Sequence, residues 1–595
     1  MRVALQNLLE VFLQSAEEMG DRPCLKFKDN GRWKNLSWVQ VEERVKAIAL
    51  GLKALGVKKG DNVAIFSETR VEWTLCDLAI LSLGAVTVPI YQSNTAEQVS
   101  YILQDSESGV VIVENKDLYQ KVRQGRPPKK IILMTGKVEG DKNALTLEKI
   151  ESLGLGDDQE GDEQGWRKGI EAIHPSDMAT FVYTSGTTGP PKGVMLTHGN
   201  FLAELEGCLR TFDITLRDTG LLFLPLAHIF ARVMQFFQLR VGCVHAYAES
   251  IDKLIDNLGE VKPHFFASVP RIFEKVHERI LQQVEEGSPL KKAVFSWATA
   301  VGRDIGRKRQ EKGLIGPLLL LQEQLASFLV FRKLRQKLGG RLRYAVSGGA
   351  PLSKEIGEFF YSTGVKILEG YGLTETTAAI NCNTPRHFRF GTVGRAVHGI
   401  EEKIAPDGEI LVKGPMIFEG YYKNPEATRE VLTADGWFKT GDIGEIDADG
   451  FLKITDRKKD IIVTAAGKNI APQNIEKFLK TVPFISQVVV HGDRRKYLSA
   501  LVTLNHEPIE EYARSTGIDF GSFHELAKHP KVFNMVKRAI DEKNKKMASF
   551  ETIKRFAILE NDFSQESGEL TPTLKVKRKF VSEKYRDVLD KLYQE

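Results

Sequence analysis

Thr184-Ser185-Gly186-Thr187-Thr188-Gly189-Pro190-Pro191-Lys192-Gly193 is the stretch that decides how this chain is read. Its glycines let backbone N–H groups turn toward an anion, its hydroxyls add donors, and Lys192 adds a positive charge. These ten residues therefore read as a loop around a polyphosphate. They differ from the common P-loop, in which Gly-Lys is followed by a Ser or Thr that holds Mg2+. Here Pro191 precedes Lys192 and Gly193 follows it. The run Met178-Ala-Thr-Phe-Val-Tyr183 predicts a strand entering the loop, and an amphipathic stretch from His198 and Gly199 predicts a helix. The loop is expected between that strand and that helix.

Outward from the loop, short β-rich runs at Asn62–Phe66, Ala85–Ile90 and Val110–Val113 alternate with helical stretches such as Trp38–Leu55. Further strands are expected at Leu221–Leu224, Phe265–Val269 and Tyr344–Ser347. This alternation predicts stacked α/β sheets. The acidic, Gly-rich segment Gly154–Gly165 reads as a surface connection. From Ile272 to Leu338 the chain is helical and rich in Lys and Arg, with an apolar stripe through Leu325, Phe328, Leu329 and Phe331. Such a stripe is expected to pack on the main domain; the second reading is contact with an anionic membrane surface. After Gly450 the pattern becomes a small α+β unit, with Phe451–Thr455 as a strand. Gln487–His491 and Leu498–Val502 read as a hairpin around the charged turn Asp493–Lys496. The expected domains are 1–458 and 459–595.

Composition narrows the class. A chain of 595 residues divides into at least two domains, and 42% hydrophobic with 27% charged residues is ordinary for a globular protein. The formal net charge of +5 does not call for a nucleic-acid partner. Cys24, Cys76, Cys208, Cys243 and Cys382 show no C-x-x-C pairing, which argues against a zinc site or a disulfide framework and for a reducing compartment. No apolar signal segment opens the sequence, and the run Pro317–Leu321 is far too short to span a bilayer. A cytoplasmic location is expected, with peripheral contact at the inner face of the membrane as the variant.

Further motifs follow in order: Leu224-Pro-Leu-Ala-His228-Ile-Phe-Ala-Arg232, Ser347-Gly348-Gly349-Ala350-Pro351, Glu369-Gly-Tyr371-Gly372-Leu-Thr374-Glu375-Thr376, Asp435-Gly-Trp-Phe-Lys-Thr-Gly-Asp442, Asp456-Arg457-Lys-Lys459, Ala465-Ala-Gly467-Lys-Asn-Ile470 and Leu570-Thr-Pro-Thr-Leu-Lys575. With the phosphate loop they resemble the adenylate-forming superfamily of acyl-CoA synthetases, adenylation domains and luciferases, and the resemblance covers nearly the whole chain. The stretch from Asp435 to Pro472 is especially similar to long-chain fatty acyl-CoA synthetases.

The resemblance implies a large N-terminal domain of stacked α/β sheets with a β-barrel-like subdomain, and a smaller mobile α+β C-terminal domain hinged at Lys459. It implies that Thr184 to Gly189 with Lys192 grip phosphates, and that the turn Gly348-Gly349-Ala350 lies on one face of adenine. Tyr371, with Gly372 beside it, covers the other face, and Thr374 reaches the α-phosphate. Glu375, with Thr187, holds Mg2+. Asp442 takes the ribose hydroxyls, which suits a two-oxygen acceptor, and Arg457 assists it. His228 lines the junction of the acyl and thiol channels; alone it would read as a core histidine. Gly467 lets the pantetheine arm of CoA pass, and Lys575 drives adenylation. In that last motif Leu574 stands where the family has Gly, and Lys577 competes with Lys575 for the assignment.

The implied reaction is ATP-dependent activation of a long-chain fatty acid to an acyl adenylate, followed by transfer to CoA with release of AMP and pyrophosphate. A medium-chain or aryl acid, or a carrier-protein acceptor, shares every nucleotide motif and stays open. A kinase or ATPase of the P-loop class is disfavoured by Lys192-Gly193. A nonenzymatic lipid- or nucleotide-binding descendant is disfavoured by the intact Glu375, Asp442 and Arg457.

Overall fold

A computed structural model describes residues 5–155, 159–184, 190–310, 313–465, 468–571 and 575–594. The chain divides into two compact units. The first comprises Met1–Glu402, Val412–Lys439 and Ala448–Leu452, and the second Lys403–Leu411, Thr440–Asp447 and Lys453–Glu595.

The first unit holds two large sheets. In one, the strands run in the order Gly420–Tyr421, Lys192–Thr197, Met178–Thr184, Val86–Ile90, Asn62–Phe66, Val110–Val113, Lys130–Leu133 and Ala144–Thr146. From Met178–Thr184 to Ala144–Thr146 the pairings are parallel. Every residue of Val86–Ile90 and Val110–Val113 is buried, as expected for parallel strands covered on both faces. Each large aliphatic side chain buried this way contributes about 1.5–3 kcal/mol.

The second sheet runs Arg395–Ala396, Ala378–Cys382, Lys366–Leu373, Tyr344–Ser347, Phe265–Ser268, Thr219–Leu222, Val244–Tyr247, Pro23–Asp29 and Arg32–Ser37. Its centre is parallel, with Thr219–Leu222 beside Phe265–Ser268, then Tyr344–Ser347, then Lys366–Leu373. Parallel strands deliver their C-terminal ends to one edge, where an open α/β sheet presents its loops to ligands. The segments leading to His228, to Gly348 and to Tyr371 all leave or cross that edge.

The part expected to be barrel-like holds a four-stranded sheet in the order Glu401–Ile404, Glu409–Lys413, Phe438–Ile446 and Leu452–Arg457. The rest of the second unit is α+β. Ile485–His491 and Leu498–Leu504 form the expected antiparallel hairpin, and Ile553–Ile558 joins it in parallel. Its core gathers Leu479, Val490, Ala500, Val502, Ile509 and Val536.

Three sequence expectations are corrected. The phosphate loop joins two antiparallel strands, with Thr184 opposite Lys192 and Tyr183 opposite Gly193, and the helix His198–Thr211 comes only afterwards. Val194 and Leu196 are buried along Lys192–Thr197, so their alternation extends a strand before Thr197 caps the helix. Within Gly154–Gly165, the residues from Gln159 belong to a helix, Gln159–Glu171, that anchors itself through buried Trp166 and Ile170. In the basic helical region only Phe331 of the four stripe residues is buried; Leu325, Phe328 and Leu329 are exposed. The helix packs instead through Ala326, Val330 and Leu334 as well as Phe331, against Trp297 and Ala298. Among the described residues no helix is long and apolar enough to cross a membrane, and all five cysteines are buried free thiols.

Candidate active site

In the first unit, the two ends of the phosphate loop are fixed by the strand pair that carries Thr184 and Lys192. Ser185, Gly186, Thr187, Thr188 and Gly189 lie outside the described residues. Lys192 Nζ sits 4.9 Å from the centroid of the Tyr421 ring, a cation over an aromatic face. Tyr421 also donates its hydroxyl to Glu375 Oε1 at 2.8 Å. Burial, and then the Glu375 charge, push the Tyr421 phenol up, so it stays a donor near neutral pH. One tyrosine therefore ties the loop lysine to the expected metal-binding carboxylate.

Glu375 stands on a strained turn. Thr374–Thr376 form a short 3-10 turn, and the next residues, Thr377 and Ala378, have φ of 53° and 92°. Side chains rarely adopt such angles, and strain of this kind persists only where neighbours enforce it. Thr376 Oγ1 accepts from Leu373 N at 2.8 Å, Thr377 Oγ1 donates to Met416 O at 2.7 Å, and Phe418 N donates to Glu375 O at 2.9 Å. Gly372 is required by the backbone itself, because a Cβ there would fall 1.4 Å from Ala378 O.

The expected adenine turn follows the buried strand Tyr344–Ser347. Gly348 donates its N–H to Ser268 O at 3.1 Å, and Gly349 has φ +79°. A Cβ on Gly348 would meet the Phe230 ring at 3.1 Å. Phe230 belongs to the helix Ile229–Val241, whose N-cap is His228, with Nδ1 accepting from Phe230 N at 3.2 Å. The fold thus brings the His228 motif to the Gly348 turn. Tyr371 is buried at the end of Lys366–Leu373, and Glu369 Oε2 accepts from Leu352 N at 3.3 Å, bracing the chain after Ala350 and Pro351.

Arg232 of the His228 motif has a different place. It is fully buried, with Nε 2.9 Å from Asp77 Oδ2, and it packs near the rings of Trp73, Phe201 and Phe236. It ties the helix Ile229–Val241 to Val71–Ser82, which makes it part of the core.

In the second unit, Asp442 is buried within the strand Phe438–Ile446, and Arg457 Nε meets its Oδ1 at 3.1 Å. The turn before Asp442 is held by Glu409. Its Oε1 accepts from Gly441 N at 2.9 Å, and its Oε2 takes Lys458 Nζ at 2.7 Å. Lys459 is exposed in the turn that follows. Gly467 lies outside the described residues; its flanks pair as Ile462–Val463 with Asn469–Ile470. Lys575 is exposed, with its N–H donated to Thr571 Oγ1 at 3.0 Å and its carbonyl accepting from Thr571 N at 2.8 Å.

Among the described residues no cluster of three or more His, Cys, Asp or Glu is arranged to hold a metal ion. Glu375 offers one half-buried carboxylate. That donor set fits Mg2+, which takes one or two carboxylates together with phosphate oxygens and waters. Sequence reasoning missed Tyr421 and Glu409, since neither lies in a motif that signals its partner.

The sequence matches the AMP-binding enzyme family over residues 12–422 and the AMP-binding enzyme C-terminal domain over residues 459–595. It is 41% identical over 574 residues to a long-chain-fatty-acid–CoA ligase of Mycobacterium tuberculosis, covering 95% of this chain and 93% of that one. It is 31% identical over 618 residues to the peroxisomal long chain acyl-CoA synthetase 7 of Arabidopsis thaliana, covering 99% and 86%. The fold is similar to the adenylation domain of a carboxylate reductase from Mycobacterium chelonae, with TM-score 0.78, 23% identity and 100% and 92% of the two chains covered. It is also similar to o-succinylbenzoate CoA synthetase of Bacillus subtilis, with TM-score 0.69, 21% identity and 97% and 98% covered. This chain belongs to the AMP-binding enzyme family, within the adenylate-forming superfamily, among the long-chain-fatty-acid–CoA ligases.

Proposed function

We propose that this protein activates a long-chain fatty acid with ATP, forming an acyl adenylate and pyrophosphate, and then passes the acyl group to CoA with release of AMP. A carboxylate is anionic and would have to expel oxide, so it resists a thiol; as a mixed anhydride with AMP it has a good leaving group. In the first step the carboxylate oxygen displaces pyrophosphate in line at the α-phosphorus, where positioning and charge neutralisation do most of the work. In the second step the CoA sulfur attacks the adenylate carbonyl and AMP departs.

The observation that carries this reading is Tyr421, which joins Lys192 and Glu375 into one polar arrangement. On this reading Thr184–Gly189 and Lys192 grip the departing phosphates. Gly348, Gly349 and Ala350 receive one face of adenine, Tyr371 the other, and Thr374 reaches the α-phosphate. Asp442, oriented by Arg457, binds the ribose hydroxyls. Lys575 stabilises the charge of the first step, while His228 and Gly467 border the path of acyl group and thiol. Bound through Glu375 and Thr187, Mg2+ would neutralise phosphate charge. The domains are proposed as 1–458 and 459–595, the smaller one moving about Lys459 between the two steps.

The test is product analysis with ATP, CoA and a ladder of fatty acids. AMP and acyl-CoA are expected from acids of roughly C12 to C18, whose tails need an apolar pocket. Product only from medium-chain or aryl acids, or only with a carrier protein, would replace this reading.

A further inference from the structure

The helix His198–Thr211 follows Lys192–Thr197, the strand that leaves the phosphate loop, and Thr197 starts it through a capping box with Asn200. Asn200 Oδ1 accepts from Thr197 N at 2.9 Å, while its Nδ2 donates to Pro415 O at 2.9 Å and Ile417 O at 3.0 Å. Glu204 lies one turn further along the same helix face. Its Oε1 accepts from Ala379 N at 3.1 Å. Two side chains four positions apart thus grip two distant segments, 415–417 and Ala379.

Both segments hold Glu375. Met416 O accepts from Thr377 Oγ1, and Phe418 N donates to Glu375 O. Ala379 comes directly after Thr377 and Ala378, the two residues of positive φ, where a β-bulge at Tyr371 and Gly372 interrupts the pairing of Lys366–Leu373 with Ala378–Cys382. A bulge re-aims side chains and disrupts the ladder, and a buried amide there needs an acceptor from elsewhere. Glu204 supplies one.

Glu204 is 1% exposed, and its Oε2 finds no hydrogen-bond partner among the described residues. Burial pushes its carboxyl well up, against the opposing help of the Ala379 amide and the Cys208 thiol, whose Sγ lies 3.9 Å from Oε1. The group is therefore a neutral acid near neutral pH. A leucine would fill this space without burying an unsatisfied oxygen, so packing does not account for the carboxyl. The bond at Oε1 does.

We infer that Glu204 is a positioning residue of the adenylation step, holding Ala379 N so that the turn bearing Glu375 stays fixed, alongside Asn200, to the strand that leaves the phosphate loop. This rests on the proposed role of Glu375 in holding Mg2+. Glu204 itself touches neither metal nor nucleotide.

The test compares Glu204→Gln, which keeps a neutral acceptor of the same shape, with Glu204→Met and Glu204→Leu, which remove the acceptor in two different shapes. Hydrogen exchange of peptides spanning 374–383, read by mass spectrometry without ligand, should speed up at Ala379 by roughly tenfold in the Met and Leu variants and stay near wild type in the Gln variant. Binding of the Mn2+ complex of a non-hydrolysable ATP analogue, followed by electron paramagnetic resonance, should weaken about three- to tenfold in the same two variants and recover in Gln. The Mg2+ requirement of ATP–pyrophosphate exchange should rise in parallel, while thioester formation from supplied acyl adenylate keeps its rate. Unweakened Mn2+ complex binding in the Met and Leu variants overturns the inference. So does a loss in Gln equal to theirs, or failure of both apolar variants to fold while Gln folds, since either makes the carboxyl a core group only. Glu375→Gln in the same binding assay separates the two readings. If it weakens binding and the Met and Leu variants do not, only the role of Glu204 falls. If it leaves binding intact, the metal-holding role of Glu375 falls and takes this inference with it.

Discussion

Tyr421 donates its hydroxyl to Glu375 Oε1 at 2.8 Å while its ring lies beneath Lys192 Nζ. The two polar groups of the proposed phosphate site thus share one support, carried by the edge strand Gly420–Tyr421 next to Lys192–Thr197. Tyr421→Phe keeps the ring and removes only the donor. A hydrogen bond to a charged group is worth about 1.5–3 kcal/mol, so ATP–pyrophosphate exchange is expected to slow by roughly tenfold to a hundredfold, with a raised Mg2+ requirement. Unchanged exchange would show that Glu375 is positioned by other contacts.

Lys575→Ala separates the half-reactions. On the proposed mechanism the lysine acts only while pyrophosphate leaves. Adenylate formation should drop by about a hundredfold or more, a loss on the scale of one removed charged group at a transition state. Thioester formation from supplied acyl adenylate should stay near the wild-type rate. Single-turnover assays of each step decide it, and an equal loss in both would rule out a role confined to the first.

Arg232 tests how much of the His228 motif is core. Removing one partner of a buried ion pair leaves the other uncompensated, at about 3–5 kcal/mol. Arg232→Met is therefore expected to destabilise the first unit by that amount in urea unfolding, because Asp77 would lose its counter-charge. Combining it with Asp77→Leu should recover most of the loss. A mild single variant would show that Asp77 is neutral in the fold.

Asp456 gives a pH signature within the second unit. Burial pushes its carboxyl up to about 6, against opposing help from the Arg457 amide and the Arg578 guanidinium, with Asp460 and Glu476 adding repulsion. Its Oδ1 accepts from Arg457 N at 2.6 Å, and its buried Oδ2 finds no hydrogen-bond partner among the described residues. The folded state thus holds the proton more tightly than the unfolded chain, whose aspartate titrates near 4. Its contribution is greatest below about pH 4, declines as pH rises to about 6, and stays low above. Asp456→Asn should flatten that slope and raise stability at neutral pH by about 1 kcal/mol. Unfolding curves at acid and neutral pH, compared with wild type, check both the sign and the window.

Much of the fold was legible locally. Asn62–Phe66, Val110–Val113 and Tyr344–Ser347 occur as read, since runs of β-branched and aliphatic residues suit strands covered on both faces. The loop after Tyr183 was misplaced because Gly193-Val-Met-Leu-Thr197 is too short for its strand character to stand out before the helix. The apolar stripe at Leu325, Phe328 and Leu329 misled for a different reason. Periodicity shows that a helix has an apolar face, but the phase change at the π-helical turn and the partner at Ala298 decide which face is covered.

The sequence by itself determined the chemistry on offer, because the phosphate loop, Glu375, Asp442, Arg457 and Lys575 sit in local motifs whose residue types limit what they can bind. Only the tertiary structure decided that Tyr421 braces Glu375, that Arg232 serves Asp77, and that leucines of a basic helix face solvent. Each of these depends on segments far apart in the chain meeting across a sheet edge or a helix pair. Such meetings are set by which surfaces exclude water together, and no local pattern encodes them.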